Sequence, residues 1–528
     1  MRQDSGHTRS VWMREDATTD AEAYPPLEAD AHCDVCVVGA GMAGMSVAYQ
    51  MVREGKRVIV LDDGPIAGGE TSRTTAHLAA YQDDGLSALE RAFGEAGARL
   101  AVASHAAAID EIERVSREEE IDCDFVRVDA WLFLAAKDKI KHLNAEFEAS
   151  QRAGLDVERR ARVTGLVFDT GPAMRIGNQA QFDPAKYIEG LARVITERGG
   201  RIHTGTHAAE IEDGAPCTVK TAAGHTVRAR DVVVCTNTPV NDWVTMHTKQ
   251  APYRTYVVGL EVPAGHVPAA LYWDTGDPYH YVRVQRGPFA AEGGEDILLV
   301  GGEDHKTGQA HDMDERFRCL EEWARERFPM TGEVAFRWSG QVMEPTDYLA
   351  FIGKNPGNQH VFIATGDSGQ GMTHGTIAGL LLHDLVLGHP HPWTELYSPA
   401  RLPVENLKVV AEFAKENVNV ARQYADWLTP GEVENLARIE PGSGAVVRAG
   451  TKKMAVYRAD DGELHMRSAV CPHLQCIVDW NPAEKSWDCP CHGSRFSATG
   501  RVLNGPANTD LAMIEPNDEQ ARADKARD

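Results

Sequence analysis

The sequence lacks any apolar run long enough to cross a membrane. Its most apolar stretch, residues 377–387, is interrupted by His383 and Asp384 and falls far short of the roughly 20 residues that span a bilayer. Residues 1–34 carry charges throughout, and they include neither the apolar core of a signal peptide nor a paired arginine. We therefore expect a cytoplasmic protein without a membrane span.

Positive charge is also scarce. The 528 residues include 54 Lys and Arg against 78 Asp and Glu, which gives a formal net charge of −24. Because such a surface repels a phosphate backbone and no basic cluster interrupts it, a nucleic-acid partner is not expected. At about 100–200 residues per domain, the length predicts two to four domains.

A glycine-rich turn near the start of the chain indicates a nucleotide site. An apolar strand at residues 34–38 leads into the Gly-x-Gly-x-x-Gly pattern of Gly39, Gly41 and Gly44, and a second apolar strand ends at Asp62. In such a unit the glycines allow a tight turn and a close approach of the backbone to a pyrophosphate, while the distal acid accepts hydrogen bonds from a ribose. The pattern predicts dinucleotide binding. No second motif of this kind occurs in mid-chain, so a separate nicotinamide domain is not expected.

Later segments extend this pattern. Residues 68–77 are rich in hydroxyl side chains, and residues 361–373 place several glycines before a helix. Together with residues 182–185 and 231–236, they resemble the D-amino-acid oxidase and glycine oxidase superfamily over about residues 34–400. The resemblance implies that FAD is bound by Gly39, Gly41, Gly44, Asp62, Thr71, Thr74, Thr75, Gly366, Gly369, Gly371 and Met372.

Four of the ten cysteines lie close together near the other end of the chain. Cys471 and His473 share one short segment, and Cys489 and His492 share another. Two thiolates and two imidazoles suit a Rieske centre, in which histidines replace cysteines on one iron. The same set also suits a tetrahedral zinc ion.

The surrounding residues favour the iron–sulfur interpretation. The segments resemble Rieske proteins closely, including Gly493-Ser494 and the loop at residues 505–507. The resemblance implies that Cys471 and Cys489 bind one iron of a [2Fe–2S] cluster, that His473 and His492 bind the other, and that Cys476 and Cys491 form a disulfide. A structural zinc site requires neither the second cysteine pair nor the 505–507 loop.

Two further features bear on redox chemistry. Phe496 stands where high-potential Rieske proteins have a tyrosine whose hydroxyl bonds to a ligand sulfur, so we predict a potential below that of the respiratory centres. Cys33 and Cys36 have the spacing of a redox pair, but Cys36 lies within the first strand, where core packing is the expected role.

The substrate pocket is expected beside a second sheet. Strand alternation at residues 278–284 places Tyr281 and Arg283 on one face, where a guanidinium can clamp a carboxylate and a phenol can hydrogen-bond it. Residues 301–306 are expected to form a loop near the same sheet, with charges that are solvated. His77 aligns with the histidine that dimethylglycine dehydrogenases join covalently to FAD, although non-covalent FAD is the favoured interpretation. No residue is identified as a catalytic acid or base.

The expected fold is α/β, with a doubly wound Rossmann-type FAD-binding domain interleaved with a mixed-sheet substrate domain, and with an all-β Rieske domain at the C-terminal side. The predicted boundaries are an N-terminal extension at 1–33, the FAD-binding and substrate domains at 34–400 with the substrate sheet mainly at 251–347, a linker or helix at 401–430, the Rieske domain at 431–516 and a tail at 517–528.

These features predict a flavin-dependent dehydrogenase. It would oxidise a small amine or amino-acid-like substrate and pass electrons singly through the cluster to an external acceptor. Two alternatives stay open: an oxygen-using flavin oxidase with a structural cluster, and an electron-transfer or redox-sensing module without a small substrate. Given the net charge, the acceptor is expected to present a basic face or to be small and uncharged.

Overall fold

The computed structural model describes residues 5–13, 23–240, 246–287, 294–401, 407–433, 436–450 and 452–514. The predicted tail at 517–528 lies outside the described residues. Within them, no helix combines the length and the apolar character that a membrane span requires. The cytoplasmic location stays a prediction.

One helix begins where the local sequence satisfies its first N–H groups. The Asp183 carboxylate accepts hydrogen bonds from the backbone N–H groups of Ala185 and Lys186, and Pro184 occupies the first turn of the helix that follows. In chain order the helices are α1 (Met42–Arg53), α2 (Leu86–Glu118), α3 (Ile140–Ala153), α4 (Pro184–Glu197), α5 (Met313–Arg327), α6 (Gly371–Leu387), α7 (Thr394–Tyr397) and α8 (Leu407–Gln423).

In the part of the chain that the structure describes, the strands form two large sheets and two small ones. In chain order they are β1 (Ala31–Val38), β2 (Val58–Leu61), β3 (His77–Leu78), β4 (Val126–Phe133), β5 (Val157–Arg160), β6 (Ala173–Gln181), β7 (Arg201–His203), β8 (Ala208–Glu212), β9 (Cys217–Thr221), β10 (Thr226–Val234), β11 (Gln250–Pro263), β12 (Leu271–Asp274), β13 (His280–Gln285), β14 (Glu295–Lys306), β15 (Val334–Pro345), β16 (Phe351–Lys354), β17 (Val361–Thr365), β18 (Ser443–Ala449), β19 (Lys452–Arg458), β20 (Leu464–Ser468), β21 (Asp479–Asn481), β22 (Ser486–Asp488), β23 (Arg495–Ser497) and β24 (Val502–Asn504).

The first large sheet confirms the predicted Rossmann-type architecture. Its strand order is β16-β17-β10-β1-β2-β7, with the β8–β9 hairpin paired to β10. β1 lies parallel to both β2 and β10, and α1 packs against α6. β2 is buried along its whole length, as expected for a parallel sheet that is covered on both faces.

The second large sheet extends beyond the predicted range of residues 251–347. Strands β11 to β15 supply one part, in the order β15-β11-β14-β13-β12, and β4, β6 and β3 continue the same sheet. The junction is the parallel pair of β12 with β4. The sheet is therefore built from two segments that are far apart in the chain.

The C-terminal part is all-β, as predicted. Its two sheets have the orders β18-β19-β20 and β21-β22-β23-β24. Trp480 and Trp487 pack with ring centroids 4.8 Å apart, in a core that also holds Phe496 and the four clustered cysteines. The predicted linker contains α8, and Tyr424 and Trp427 after it donate hydrogen bonds to the carbonyl oxygens of Leu474 and Gln475.

A buried group of charged side chains joins this C-terminal part to the rest of the chain. Glu484 accepts hydrogen bonds from Arg73 Nη1 at 2.9 Å and from Arg254 Nη2 at 3.4 Å, and Arg495 donates to Asp488 at 3.1 Å. The side chains of Glu484, Arg73 and Arg254 are all 0% exposed. Burial alone would raise the pKa of Glu484, but the three arginines hold it well below its ordinary value.

The N-terminal segment takes part in the same contact. The backbone N–H groups of His7 and Thr8 donate to Glu484 Oε2 at 2.9 and 3.1 Å, and the carbonyl oxygen of Ser5 accepts from Arg495 at 2.7 Å. Because the hydroxyl of Ser339 in β15 also donates to Glu484, four distant parts of the chain satisfy one buried carboxylate.

We expect Glu484→Gln to destabilise the folded protein strongly. The change leaves Arg73 and Arg254 buried without their counter-charge, and removing one partner of a buried ion pair costs about 3–5 kcal/mol. The midpoint of urea unfolding, followed by tryptophan fluorescence, should fall well below that of the exposed control Glu463→Gln. Equal midpoints for the two variants would contradict the proposed contribution of this contact to the free energy of unfolding.

Candidate functional site

The glycine turn and the start of α1 lie at one end of a cavity of about 690 Å³. A Cβ at Gly39, where φ is +107°, would lie 2.4 Å from the carbonyl oxygen of Cys235, and one at Gly44 would lie 1.9 Å from the carbonyl oxygen of Gly39. Both positions therefore require glycine. Gly39 and Gly41 line the cavity, whereas Gly44 packs beneath the turn. The first turn of α1 holds no acidic residue and no capping side chain, which suits a pyrophosphate.

Asp62 lies at the same end. Its carboxylate accepts hydrogen bonds from the backbone N–H of Ala40 at 2.5 Å and from that of Gly64 at 2.8 Å. Thr206, whose N–H donates to the carbonyl oxygen of Asp62 at 2.7 Å, also lines the cavity. The carboxylate is thus held at the cavity wall, where a ribose hydroxyl can reach it.

The hydroxyl-rich loop borders the same cavity. Thr71 Oγ1 accepts a hydrogen bond from the N–H of Met42 at 3.1 Å, and Thr74 Oγ1 accepts one from the N–H of Ala76 at 3.0 Å. Thr71, Thr74 and Thr75 all line the cavity. The loop and the first turn of α1 are therefore tied together directly.

The start of α6 completes this part of the wall. Gly366 and Gly369 both adopt positive φ, of 75° and 73°, and they line the cavity with Gly371 and Met372. With the exception of Gly44, every residue that the sequence assigns to FAD lines this one cavity. The glycine cradle, the helix start, the fixed acid and the hydroxyl-rich loop fit FAD.

The structure corrects the prediction for Arg283. Tyr281 lines the cavity, and its hydroxyl lies 2.8 Å from Thr255 Oγ1. Arg283 is 1% exposed and does not line the cavity, because this strand face continues past the cavity and beneath the loop at residues 75–76. Its Nη1 donates to three backbone carbonyl oxygens, those of Thr75, Ala76 and Phe182. The predicted carboxylate clamp at Arg283 is therefore wrong.

His77 lies in the cavity wall. Its Nδ1 is 3.0 Å from Thr75 Oγ1, and its ring centroid is 5.4 Å from that of Trp273 and 5.8 Å from that of Tyr281. Burial, with a smaller contribution from the charge of Arg283, lowers the pKa of His77 to about 3. The imidazole is therefore neutral at physiological pH.

Sequence analysis does not identify a group of carboxylates in the cavity wall. Asp304 was expected to be solvated but lies in β14 against the cavity, and four more acids share this part of the wall: Asp83, Asp84, Glu344 and Asp367. Burial, and then repulsion chiefly from Asp84, raises the pKa of Asp83 to about 7. Burial also raises the pKa of Asp304 to about 6 and that of Asp367 to about 7. One sequence signal could have identified part of this group, because Asp367 lies within the glycine segment before α6.

The two predicted cluster loops bring their cysteines and histidines together. The thiols of Cys471 and Cys489 are in hydrogen-bond contact, and the ring centroids of His473 and His492 are 5.0 Å apart. The thiol of Cys489, then backbone N–H groups and the Ser494 hydroxyl, lower the pKa of Cys471 against the effect of burial. Nδ1 of His492 is buried and has no hydrogen-bond partner in the described part of the chain. This donor set fits a [2Fe–2S] cluster.

A disulfide links the two loops. It joins Cys476 to Cys491, as the resemblance implies, and the sulfur of Cys489 lies within 4.8 Å of both disulfide sulfurs. Phe496 is fully buried. Cys33 and Cys36 are free thiols packed in a hydrophobic core, in agreement with the packing role expected for them.

The cavity and the cluster loops are adjacent. Nε2 of Gln341 donates to the carbonyl oxygen of Gly493 at 2.8 Å, and Gln341 also lines the cavity. From the C-terminal part, Asn504 lines the same cavity. Sequence analysis did not identify His247, whose ring centroid lies 4.8 Å from that of His473. The cluster loops thus contact the domain that contains the cavity.

Comparisons with known proteins agree with this geometry. The family described as FAD dependent oxidoreductase matches residues 34–385, and the Rieske [2Fe-2S] domain matches residues 426–515. The chain is 31% identical over 507 residues to YhfW of Bacillus subtilis (strain 168), named as a Rieske 2Fe-2S iron-sulfur protein, with 94% of this chain and 96% of that protein covered.

One further relative and one solved structure match the larger part alone. Gamma-glutamylputrescine oxidoreductase of Escherichia coli (strain K12) is 26% identical, with 72% of this chain and 89% of that protein covered. The crystal structure of glycine oxidase from Geobacillus kaustophilus has a TM-score of 0.59 at 19% identity and covers 70% of this chain and 99% of its own, a likeness of fold. The chain belongs to the FAD dependent oxidoreductase family and carries a Rieske [2Fe–2S] domain at its C-terminal side.

Proposed function

We propose that this oxidoreductase is a dehydrogenase that oxidises a small amine or amino-acid-like substrate and passes the electrons one at a time through its Rieske cluster to an external acceptor. The observation that carries the proposal is the contact between the cavity and the cluster loops. Gln341 lines the cavity and donates to Gly493, the neighbour of His492. A cluster with a purely structural role would not require this contact.

Each part of the cavity has an assigned role in this proposal. The turn at Gly39 and Gly41 and the start of α1 hold the pyrophosphate, Asp62 holds a ribose, and the threonine loop and the start of α6 hold the rest of FAD. When bound, FAD supplies a two-electron acceptor and the [2Fe–2S] cluster carries one electron at a time. Cys471 and Cys489 are assigned to one iron, and His473 and His492 to the other.

Aromatic side chains form one part of the cavity wall. Trp273, Tyr279 and Tyr281 line it together, and the two tyrosine rings are 5.8 Å apart. Hydroxyl groups of this wall are already engaged, since Tyr281 contacts Thr255 and Tyr279 donates to Asp304 at 3.3 Å. The wall therefore orients a substrate, and we assign no general acid or base to it.

Two further observations support the proposal. The relative from Escherichia coli is named for an amine substrate, which favours oxidation at a carbon next to nitrogen. The net charge of −24 favours an acceptor that presents a basic face or is small and uncharged.

Anaerobic mixing of the holoenzyme with amines, N-methyl amines and amino acids tests the proposal. We expect at least one compound to bleach the flavin absorbance, after which the absorbance of the oxidised cluster should fall, because the two sites adjoin. In the Cys489→Ser variant, which lacks a predicted iron ligand, the flavin should bleach and stay reduced when a one-electron acceptor is added. In a parallel experiment in air-saturated buffer, rapid peroxide formation without an added acceptor would instead indicate an oxidase, because dioxygen would then accept the electrons. Absence of bleaching with every compound would indicate an electron-transfer module.

FAD is expected to be held without a covalent bond. The Nδ1 of His77 contacts Thr75, and its ring packs against Trp273 and Tyr281 as part of the wall. After acid denaturation and filtration, all the flavin should pass into the filtrate. Flavin that stays with the wild-type protein but is released from a His77→Ala variant would contradict this expectation.

The cluster is expected to have a lower potential than the respiratory Rieske centres. Phe496 offers no hydroxyl to a ligand sulfur, so Phe496→Tyr should raise the midpoint potential and Ser494→Ala should lower it. A redox titration followed by electron paramagnetic resonance measures both changes. A wild-type value near the top of the Rieske range, about +300 mV, would contradict the expectation.

A further inference from the structure

The wall of the cavity is strongly acidic away from the glycine turn. Five carboxylates meet there, those of Asp83, Asp84, Asp304, Glu344 and Asp367. Arg73 is the one arginine among the described lining residues, which include no lysine, and its guanidinium is paired with Glu484. This group of acids therefore has no cationic side chain of the wall to balance it.

The acids come from four separate elements but contact one another through shared neighbours. The hydroxyl of Ser368 donates to Glu344 Oε2 at 2.7 Å and lies 3.5 Å from Asp84 Oδ2. A Cβ at Gly369 would lie 2.4 Å from Asp83 Oδ2. Repulsion from Asp83, Asp84 and Asp367 is among the causes that raise the pKa of Glu344. The five carboxylates thus act on one another as a single charged group.

Two acceptor atoms at this place lack a donor. Oδ1 of Asp304 and Oε1 of Gln370 are buried, and neither has a hydrogen-bond partner among the described residues. Gln370 is only 7% exposed and lines the cavity, and its Nε2 already donates to the carbonyl oxygen of Tyr81 at 2.6 Å. Buried acceptors are normally satisfied, so a ligand that carries N–H donors fits them, whereas a ligand that carries acceptors does not.

Aromatic faces stand beside the acids. Tyr279 donates to Asp304 Oδ2 at 3.3 Å and packs against Tyr281. Aromatic rings attract cations through their faces. Carboxylates and aromatic rings together form a wall suited to ammonium groups with short apolar segments between them.

We propose that the substrate is an aliphatic amine with at least two positively charged nitrogens and no carboxylate, a diamine or polyamine, and that Asp83, Asp84, Asp304, Glu344 and Asp367 bind the nitrogen that is not oxidised. This inference rests on the proposed function and narrows its substrate class. A monoamine, once its only nitrogen is placed for oxidation, would leave the acidic group without any cation. The carboxylate of an amino acid would face like charges, and Arg283, which the sequence offers as its partner, is bound to backbone carbonyls instead.

Matched ligand pairs test the inference independently of turnover. Putrescine, ornithine and butylamine differ by one carboxylate or by one ammonium group. Their dissociation constants can be measured by equilibrium dialysis against dithionite-reduced holoenzyme, which cannot oxidise them. Putrescine should bind at least about tenfold more tightly than ornithine and than butylamine, because a charge-assisted contact contributes at least that factor. The proposal is overturned if the dissociation constant of putrescine is less than about tenfold below that of either compound. It is also overturned if putrescine shows no measurable binding.

Charge-removing variants locate the site. Asp304→Asn and Glu344→Gln keep side-chain shape and relieve repulsion, so each should fold and each should weaken putrescine binding by about tenfold while leaving butylamine binding nearly unchanged. Glu148→Gln, whose carboxylate is 60% exposed on α3, is the matched control for the change in net charge. If both cavity variants bind putrescine as tightly as the control does, the acidic group is not the site and the proposal fails.

Measurements of ligand binding and of flavin bleaching test this inference and the proposed function separately. If putrescine binds selectively but no amine bleaches the flavin, the acidic site stands and the proposed dehydrogenase activity fails. If ornithine or another amino acid bleaches the flavin and binds more tightly than its amine counterpart, the dehydrogenase activity stands and the cationic-substrate inference fails.

Discussion

The burial of Glu484 is the constraint on which the arrangement of the two cofactor sites depends. A carboxylate with no exposed surface is tolerated only where opposite charges and hydrogen bonds surround it. Its partners come from the N-terminal segment, from the turn that carries Arg73, from β11, which carries Arg254, and from β15, which carries Ser339. Because none of these groups can be left alone in the interior, the Rieske domain is attached at a defined position on the FAD-binding part.

This attachment determines what the Rieske domain faces. With Glu484 held, the loop that contains Gly493 lies against Gln341, and Asn504 reaches the cavity wall. The ring of His247 covers His473 from the FAD-binding side. The predicted histidine ligands therefore face the other domain of the same chain, as the proposed transfer of electrons within one molecule requires.

The acidic end of the cavity is a second place where the fold buries charged side chains, and here the charges repel one another. Like charges close together in a buried site raise one another's pKa, as at Asp83 and Glu344, and such perturbed groups are concentrated at functional sites. The contrast with the Glu484 cluster is informative. There, arginines from the chain itself balance the acid, whereas the described lining of the cavity offers its acids no lysine and no arginine other than Arg73, which is paired with Glu484.

Local sequence alone determined those parts of the two cofactor sites whose residues lie close together in the chain. The turn at Gly39, the acid at the end of β2, the threonine loop and the paired cysteine and histidine segments each lie within a few residues, so one stretch of backbone brings their members together. Only the tertiary structure decided how distant segments meet. Arg283 shares a strand face with Tyr281, as alternation predicts, but the path of that strand beneath residues 75–76 removes Arg283 from the cavity. The five cavity acids come from elements far apart in the chain. Thr8 and Arg73, which donate to Glu484, lie hundreds of residues before it in the sequence. The spacing of neighbouring residues in the sequence does not predict such contacts, because long-range packing brings these charges together.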